Sequence, residues 1–337
     1  MAANKHTILA GCVNLDESIN LRHEAPRDKD FQDSVVLVWW DPGNSIGGFH
    51  RLGHESNPEG NKVALWTNIT TPTGIFKRTQ SKPLRKKDIL PSGGFGSGDD
   101  TCTVEFKNGQ HIWNIEEPDE ELKLHIVHKD TGPHVDCYPK RAITDTFAAG
   151  HLDIPGVVTG TMTHKGETYE IKNGFSIRDR GWGVRTWNRA VLSHRWVAGS
   201  AGPDFGVVIV AWHGADDSYS KFGWVVSNNM VKAAKSIDIL AYKEDDSLTN
   251  RGGKTQIELV DGKSYVIEWK PVSKAFVTWH HDLAVVDRLC SFKAFETTEG
   301  KEYHGFGDFE NSSNMHHGSR KPSFVIDAVI ETGFTST

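Results

Sequence analysis

Apolar residues in this chain come in short runs, alternating or continuous, separated at close intervals by turn residues and almost nowhere at helical spacing. The first clear run, Val35-Val36-Leu37-Val38-Trp39-Trp40, is closed by the breaker cluster Asp41-Pro42-Gly43-Asn44 and predicts a strand that ends in a turn. Gly47 to Leu52 and Lys62 to Ile69 read as two more strands, with Pro72-Thr73-Gly74 as the next turn. Hairpin signatures recur. Thr101 to Phe106 and His111 to Ile115 flank Asn108-Gly109, and Gln256 to Val260 and Ser264 to Trp269 flank Asp261-Gly262. Such pairs supply the positive φ that a tight turn needs. Thr159 to Met162 and Thr168 to Ile171 flank His164-Lys165-Gly166, and Val207 to Trp212 pairs plausibly with Lys221 to Val226. Met230 to Leu240 is a candidate helix, although its Ile237/Ile239 alternation suits a strand equally. The pattern predicts an all-β protein with little helix, of antiparallel barrel or sandwich architecture. The stretch Ala148 to Gly156 reads as a seam. It divides a β domain over 1–150, opening with a polar arm over residues 1–30, from a second over 151–337.

A length of 337 residues suits one large or two medium domains. Eleven tryptophans and 16 phenylalanines against six tyrosines favour sheet faces and apolar pockets. The net charge of −6, with no basic block, argues against nucleic acid. No run approaches the ~20 apolar residues of a membrane span. Met1 to Ala10 lacks the apolar core of a signal peptide, so a cytoplasmic location is expected. Cys12, Cys102, Cys137 and Cys290 are far apart and read as reduced structural thiols. The basic stretch Lys77 to Lys87 reads as a solvated strand or loop. Gly93 to Gly98 lacks the Lys-Ser/Thr ending of a phosphate loop and reads as a flexible surface loop. The 17 histidines form close pairs such as His50/His54 and His280-His281, but neither His-x-His on a strand nor HExxH, so no metal is expected. No Gly-x-Ser-x-Gly elbow is present, and no cofactor is implied. The expected partner is a small apolar substrate or ligand, and a homo-oligomer is compatible with the sequence.

The densest chemistry lies in Gly174-Phe175-Ser176-Ile177-Arg178-Asp179-Arg180-Gly181-Trp182-Gly183-Val184-Arg185, directly after what reads as an Asn173-Gly174 turn. On a strand, Arg178 and Arg180 share one face, and Ile177, Asp179 and Gly181 the other. Asp179 is then either part of an ion-pair staple or a carboxyl in an apolar hollow. Downstream stand Ser193-His194-Arg195-Trp196, Trp212-His213 and Tyr303-His304-Gly305-Phe306-Gly307-Asp308-Phe309-Glu310, which put His194 with Trp196 and Asp308 with Glu310 on shared faces.

Arg178 to Arg185 resembles the signature of the carotenoid 1,2-hydratase (hydroxyneurosporene synthase)-like superfamily, with Gly181 where serine is usual and Arg178 where histidine is common. The resemblance implies two consecutive lipocalin-like β domains, with 174–185 in the second. It also implies kinship with isoprenoid hydratases and fungal pericyclases. In an enzyme protonating an apolar polyunsaturated substrate, for cyclisation, isomerisation or hydration, Asp179 is the leading acid, with Glu310 and Asp308 behind it. Trp182, Trp196 and Trp212 would be cation-stabilising walls, joined by Tyr303 and Phe306. His194 or His213 would handle water or the final proton. Arg178, Arg180 and Arg185 would set geometry and charge. A lipocalin-like carrier and a cofactor-free pericyclase are the alternatives.

Overall fold

In a computed structural model of the protein, the described residues are 6–7, 13–26, 30–57, 60–138, 149–185, 191–214, 218–246, 248–314 and 328–330. Among them strands dominate, three 3-10 turns are the only helical pieces, and no α-helix occurs. Met230–Lys243, the candidate helix, is a strand, as its Ile237/Ile239 alternation allows.

The strands form two large sheets. The first is a ten-stranded half-barrel with Ile46–Asn57, Phe31–Asp41, Glu167–Val184 and Gly150–His164 adjacent at its centre. In the second, eight strands close into a barrel, sealed where Trp224 to Ser227 pairs with Met230 to Ala233. A hairpin, Phe276–His280 with Leu283–Asp287, leaves the barrel path and pairs onto Glu302–Asn314. The Asn108-Gly109 hairpin forms with the expected two-residue turn, whereas Glu258 pairs with Ser264 and Leu259 with Lys263, so the Asp261-Gly262 connection is one residue longer.

The layering explains the unbroken apolar runs. Val35, Leu37 and Trp39 point into the half-barrel, among Leu52, Phe95, Trp113 and Ile126. Val36, Val38 and Trp40 point the other way and pack with Trp196, Val208, Val210 and Trp212 of the second unit. Val207, Ile209 and Ala211, alternating with those, fill the closed barrel. A strand buried on both faces has no polar side to show. The protein is therefore three stacked apolar layers, and the middle one joins the two units.

Three expectations need correction. The sheets do not divide at residue 150. Gly150–His164 and Glu167–Val184 pair with each other and with Leu122–Asp130 and Phe31–Asp41, so the 174–184 signature lies in the first sheet, and the second is built from Val191 onward together with His6–Thr7, which pairs parallel with Tyr219–Ser227. The glycines that suggested a seam are packing residues. A Cβ on Gly156 would sit 2.2 Å from the His128 ring, and one on Gly150 2.2 Å from the Trp182 ring. Asn173-Gly174 is no turn but a register shift inside one 18-residue strand, where Val158 faces Gly174 and Gly160 faces Ile171. Gly94 to Ser97 is buried rather than a surface loop, and a Cβ on Gly94 would meet the Val104 carbonyl at 2.2 Å.

Cys102 and Cys290 are buried free thiols. Cys137 is disulfide-bonded, contrary to the expected thiol; such bonds belong mainly to oxidising compartments. Cys12 lies outside the described residues. Among the described residues no helix is long and apolar enough to cross a membrane.

Candidate functional site

Strand register builds a floor on the outer face of the half-barrel. Antiparallel pairing sets Asp153 opposite Asp179, Asp179 opposite Val36, Val36 opposite Arg51 and Arg51 opposite Trp66. The next row on that face is His151, Gly181, Ser34, Gly53 and Ala64. A row of large side chains beside a row of small ones leaves a hollow. The roof comes from the barrel, where Trp196 pairs with Val210 and Glu310, and His194 with Trp212 and Ser312. The cavity between is lined by Phe49, Trp66, Trp196 and Trp212 together with Arg51, His151, Asp179, Arg185, His194 and Glu310. It leaves about 70 Å³ for the centre of a water molecule to occupy, room for a few waters or the end of a slender ligand.

Asp179 meets His151 at 3.1 Å and keeps 21% of its side chain open to the cavity. Burial pushes its carboxyl up, but His151, Arg185 and Arg51 outweigh this and hold it below the ordinary value. Burial opposes charge on His151 too, yet Asp179 and Asp153 raise the imidazole above 6.5. Asp153, opposite Asp179 and accepting from the Tyr138 hydroxyl at 2.8 Å, is pushed by burial and the neighbouring carboxylate to about 7. Two carboxyls directly opposite on a buried sheet cannot both ionise cheaply. The arrangement favours the charged form of Asp179 and of His151 and the protonated form of Asp153. Asp179, the leading acid expected from the sequence, lines the cavity as the carboxyl partner of His151.

Across the cavity His194 Nε2 lies 2.6 Å from Glu310 Oε1, and Ser312 bonds His194 Nδ1. Glu55 accepts from Arg51 Nη2 at 3.0 Å and faces His280 at 3.1 Å and His281 at 3.0 Å. Burial holds His280 neutral at about 4. Glu55 with His280 and His281, His151 with Asp153 and Asp179, and Asp287 with Asp308 and Glu310 each bring ligand-type atoms within 4.8 Å, so each could approach a cation.

Other expected site residues lie elsewhere. Arg178 is clamped on Asp130 at 2.6 and 2.8 Å, with His128 and His134 on the same carboxylate. Arg180 is buried between Asp33, the carbonyls of Ile19, Leu21 and Ser34, and His23. Both point away from the cavity, because strand alternation sends them to the face of their cross-strand partners Leu37 and Val35, whereas Asp179 shares its face with Val36. Trp182 stacks on His23 at 4.3 Å, beside Ile19 and Leu152. Tyr303 packs on Phe205 at 4.6 Å against the barrel core. Phe306 stacks on Trp40 at 5.9 Å, and His213 meets Tyr219 edge-on at 6.2 Å. None of these six lines the cavity.

Asp308 is sealed behind Glu310, accepts from the Arg288 amide at 2.8 Å, and is raised by burial and by Glu310 to about 8. A carboxyl that binds its proton more tightly when folded stabilises the fold at low pH. That stability is lost as pH climbs from the unfolded value near 4 through about 8. Asp308→Asn keeps the carbonyl acceptor and removes the titration. Its melting temperature should equal the wild type's below pH 4 and exceed it at pH 9, a difference growing by up to about 1.4 kcal/mol per unit within that window. Thermal denaturation across pH checks this; parallel curves would refute it.

Residues 16–315 match the family model described as a domain of unknown function, DUF7064. The chain belongs to the DUF7064 family. No curated protein matches the sequence. Solved structures similar to this DUF7064 protein include CghA, with TM-score 0.60 at 11% identity over 90% of this chain and 98% of that one. An AttH-like protein from Nitrosomonas europaea gives 0.59 at 11% identity, over 86% and 93%. Kievitone hydratase from Nectria haematococca gives 0.58 at 9% identity, over 85% and 89%. All share the carotenoid hydratase-like, lipocalin-type fold, as the Arg178 to Arg185 resemblance implied. At these identities the likeness is one of fold.

Proposed function

We propose that this DUF7064 protein is an enzyme that moves a proton onto or off an apolar, polyunsaturated substrate held between its two β units, leading to hydration, isomerisation or ring closure. The observation that carries the reading is the Asp153, His151 and Asp179 cluster, whose His151–Asp179 pair at 3.1 Å opens onto a cavity walled by Trp66, Trp196 and Trp212. A carrier of apolar ligands gains nothing from buried charges, which cost desolvation. His151, positively charged beside Asp179, is the proposed donor, and Asp153 replenishes its proton. Indole faces would stabilise positive charge developing on the substrate. Glu310 and His194 on the opposite wall are suited to hold water or take up the final proton. The fold relatives include CghA, a pericyclase, and a hydratase of kievitone, so both addition of water and cyclisation are within reach of the architecture.

The test is incubation in heavy water with a panel of kievitone, farnesol and geranylgeraniol, followed by mass spectrometry. A product carrying one new carbon-bound deuterium is expected for at least one substrate. Saturable binding of the panel without any product would leave a carrier. A product free of deuterium would favour the purely pericyclic route.

A further inference from the structure

The cavity wall contains a strong hydrogen-bond donor with no acceptor among the described residues. Arg51 is 3% exposed and lines the hollow. Its Nη2 donates to Glu55 Oε1 at 3.0 Å, and its guanidinium lies 4.8 Å over Trp66. Its Nη1 is buried and meets no acceptor among the described residues. The side chain is held there by its own strand. Arg51, Gly53 and Glu55 share one face, and the guanidinium lies across Gly53, where a Cβ would come within 2.8 Å of Nη2. Glu55 is fixed in turn by His280 and His281 at 3.1 and 3.0 Å. The unused nitrogen is therefore aimed by packing, and a buried charged donor left without an acceptor is disfavoured unless something completes it.

The charge balance of the wall says what completes it. On that wall Glu55 already faces Arg51, Asp179 lies beside His151, and Glu310 beside His194, while Arg185 lines it as well. The charge of Arg51 is thus already matched by Glu55, while one directional N–H of its guanidinium remains unused. That suits a neutral oxygen with negative partial charge, which strengthens if charge develops during reaction. The geometry points to a carbonyl-binding subsite at Arg51 Nη1, and hence to a conjugated carbonyl compound, an enone or dienone, as the substrate class rather than a pure hydrocarbon. This rests on the proposed function and narrows it: the polyunsaturated chain would lie along Trp66, Trp196 and Trp212 with its carbonyl on Arg51.

The test uses para-dimethylaminocinnamaldehyde, whose absorption band moves to the red when its carbonyl accepts a strong hydrogen bond and to the blue in an apolar site. No lysine lines the described cavity to form an imine. The wild type should bind it saturably with a red shift. Arg51→Met should bind about tenfold more weakly, without the red shift. Should removing the guanidinium beside Glu55 prevent folding, Arg51→Lys keeps a cation there but lacks the second nitrogen, and it should likewise lose the red shift. A blue shift in the wild type, an unchanged red shift in both variants, or no saturable binding overturns the subsite. Turnover does not enter this readout, so failure of the proposed reaction and failure of the subsite are separately visible.

Discussion

Asp179→Asn is expected to lower turnover by about 10²–10⁴-fold while leaving the melting temperature nearly unchanged. The substitution preserves shape but removes the negative charge 3.1 Å from His151. His151 owes its raised affinity for a proton to Asp179 first and Asp153 second, against the opposing effect of burial. With Asp179 neutral, burial wins and the imidazole loses its proton near neutrality. The fold is spared, because the lost charge and the discharged imidazole cancel, and Asp153 is relieved of its neighbour. The pH profile carries a second signature. Asp179 must be ionised and His151 protonated, so wild-type activity should fall on the acid side only below the ordinary carboxylate range and on the alkaline side only beyond the ordinary imidazole value. In the variant the alkaline limb should shift to lower pH. Steady-state rates on whichever panel substrate turns over test this. A variant with more than about a tenth of wild-type activity would remove Asp179 from the chemistry.

Arg180→Met should produce the largest loss of stability, about 3–5 kcal/mol. Arg180 is fully buried and paired with Asp33, itself 1% exposed. Burial would drive Asp33 towards neutrality, and Arg180 with His23 holds it ionised instead. Removing the guanidinium strands that carboxylate and leaves the carbonyls of Ile19, Leu21 and Ser34 without their donor. These contacts tie the segment around Ile19 to the central strands, so the loss should appear as earlier unfolding in urea. Because Arg180 faces away from the cavity, ligand affinity of the folded fraction should not change. A loss below about 1 kcal/mol would show that the network is worth no more than a surface ion pair.

What could be read from the sequence was local. Turn residues disclosed the hairpins, since Asn108-Gly109 and Asp261-Gly262 need nothing beyond their neighbours to specify a turn. Strand parity alone separated Asp179 from Arg178 and Arg180, and it put His194 with Trp196. The two arginines proved to be staples because the face opposite Asp179 is the half-barrel core, and parity cannot say which face holds the hollow. The floor was hidden because it depends on register between strands far apart in the chain. Nothing local announces that Arg51 and Trp66 will stand in one row with Asp179 and Asp153. A weak signal existed in His151-Leu152-Asp153, two chemical groups sharing a strand face, and in Arg51-Leu52-Gly53-His54-Glu55, where glycine lets an arginine reach a glutamate. Tyr138 and His280 had none that separated them from the background. The seam at residue 150 failed for a related reason. Glycine and proline there serve close packing, and Pro155 sits just past the last pairing of Gly156 with Asp130, where no ladder donor is required.

Proton transfer in the cavity depends on the charge state of one ring, His151. Nitrogen-15 labelling of histidine, with the His151 signals assigned by their loss in His151→Gln, reports protonation directly. His151 should be an imidazolium that titrates above 6.5 in the wild type, falls below that value in Asp179→Asn, and shifts when para-dimethylaminocinnamaldehyde enters the cavity. A His151 ring that is neutral at pH 6 in the wild type, or blind to both the substitution and the ligand, would contradict the proposed proton transfer.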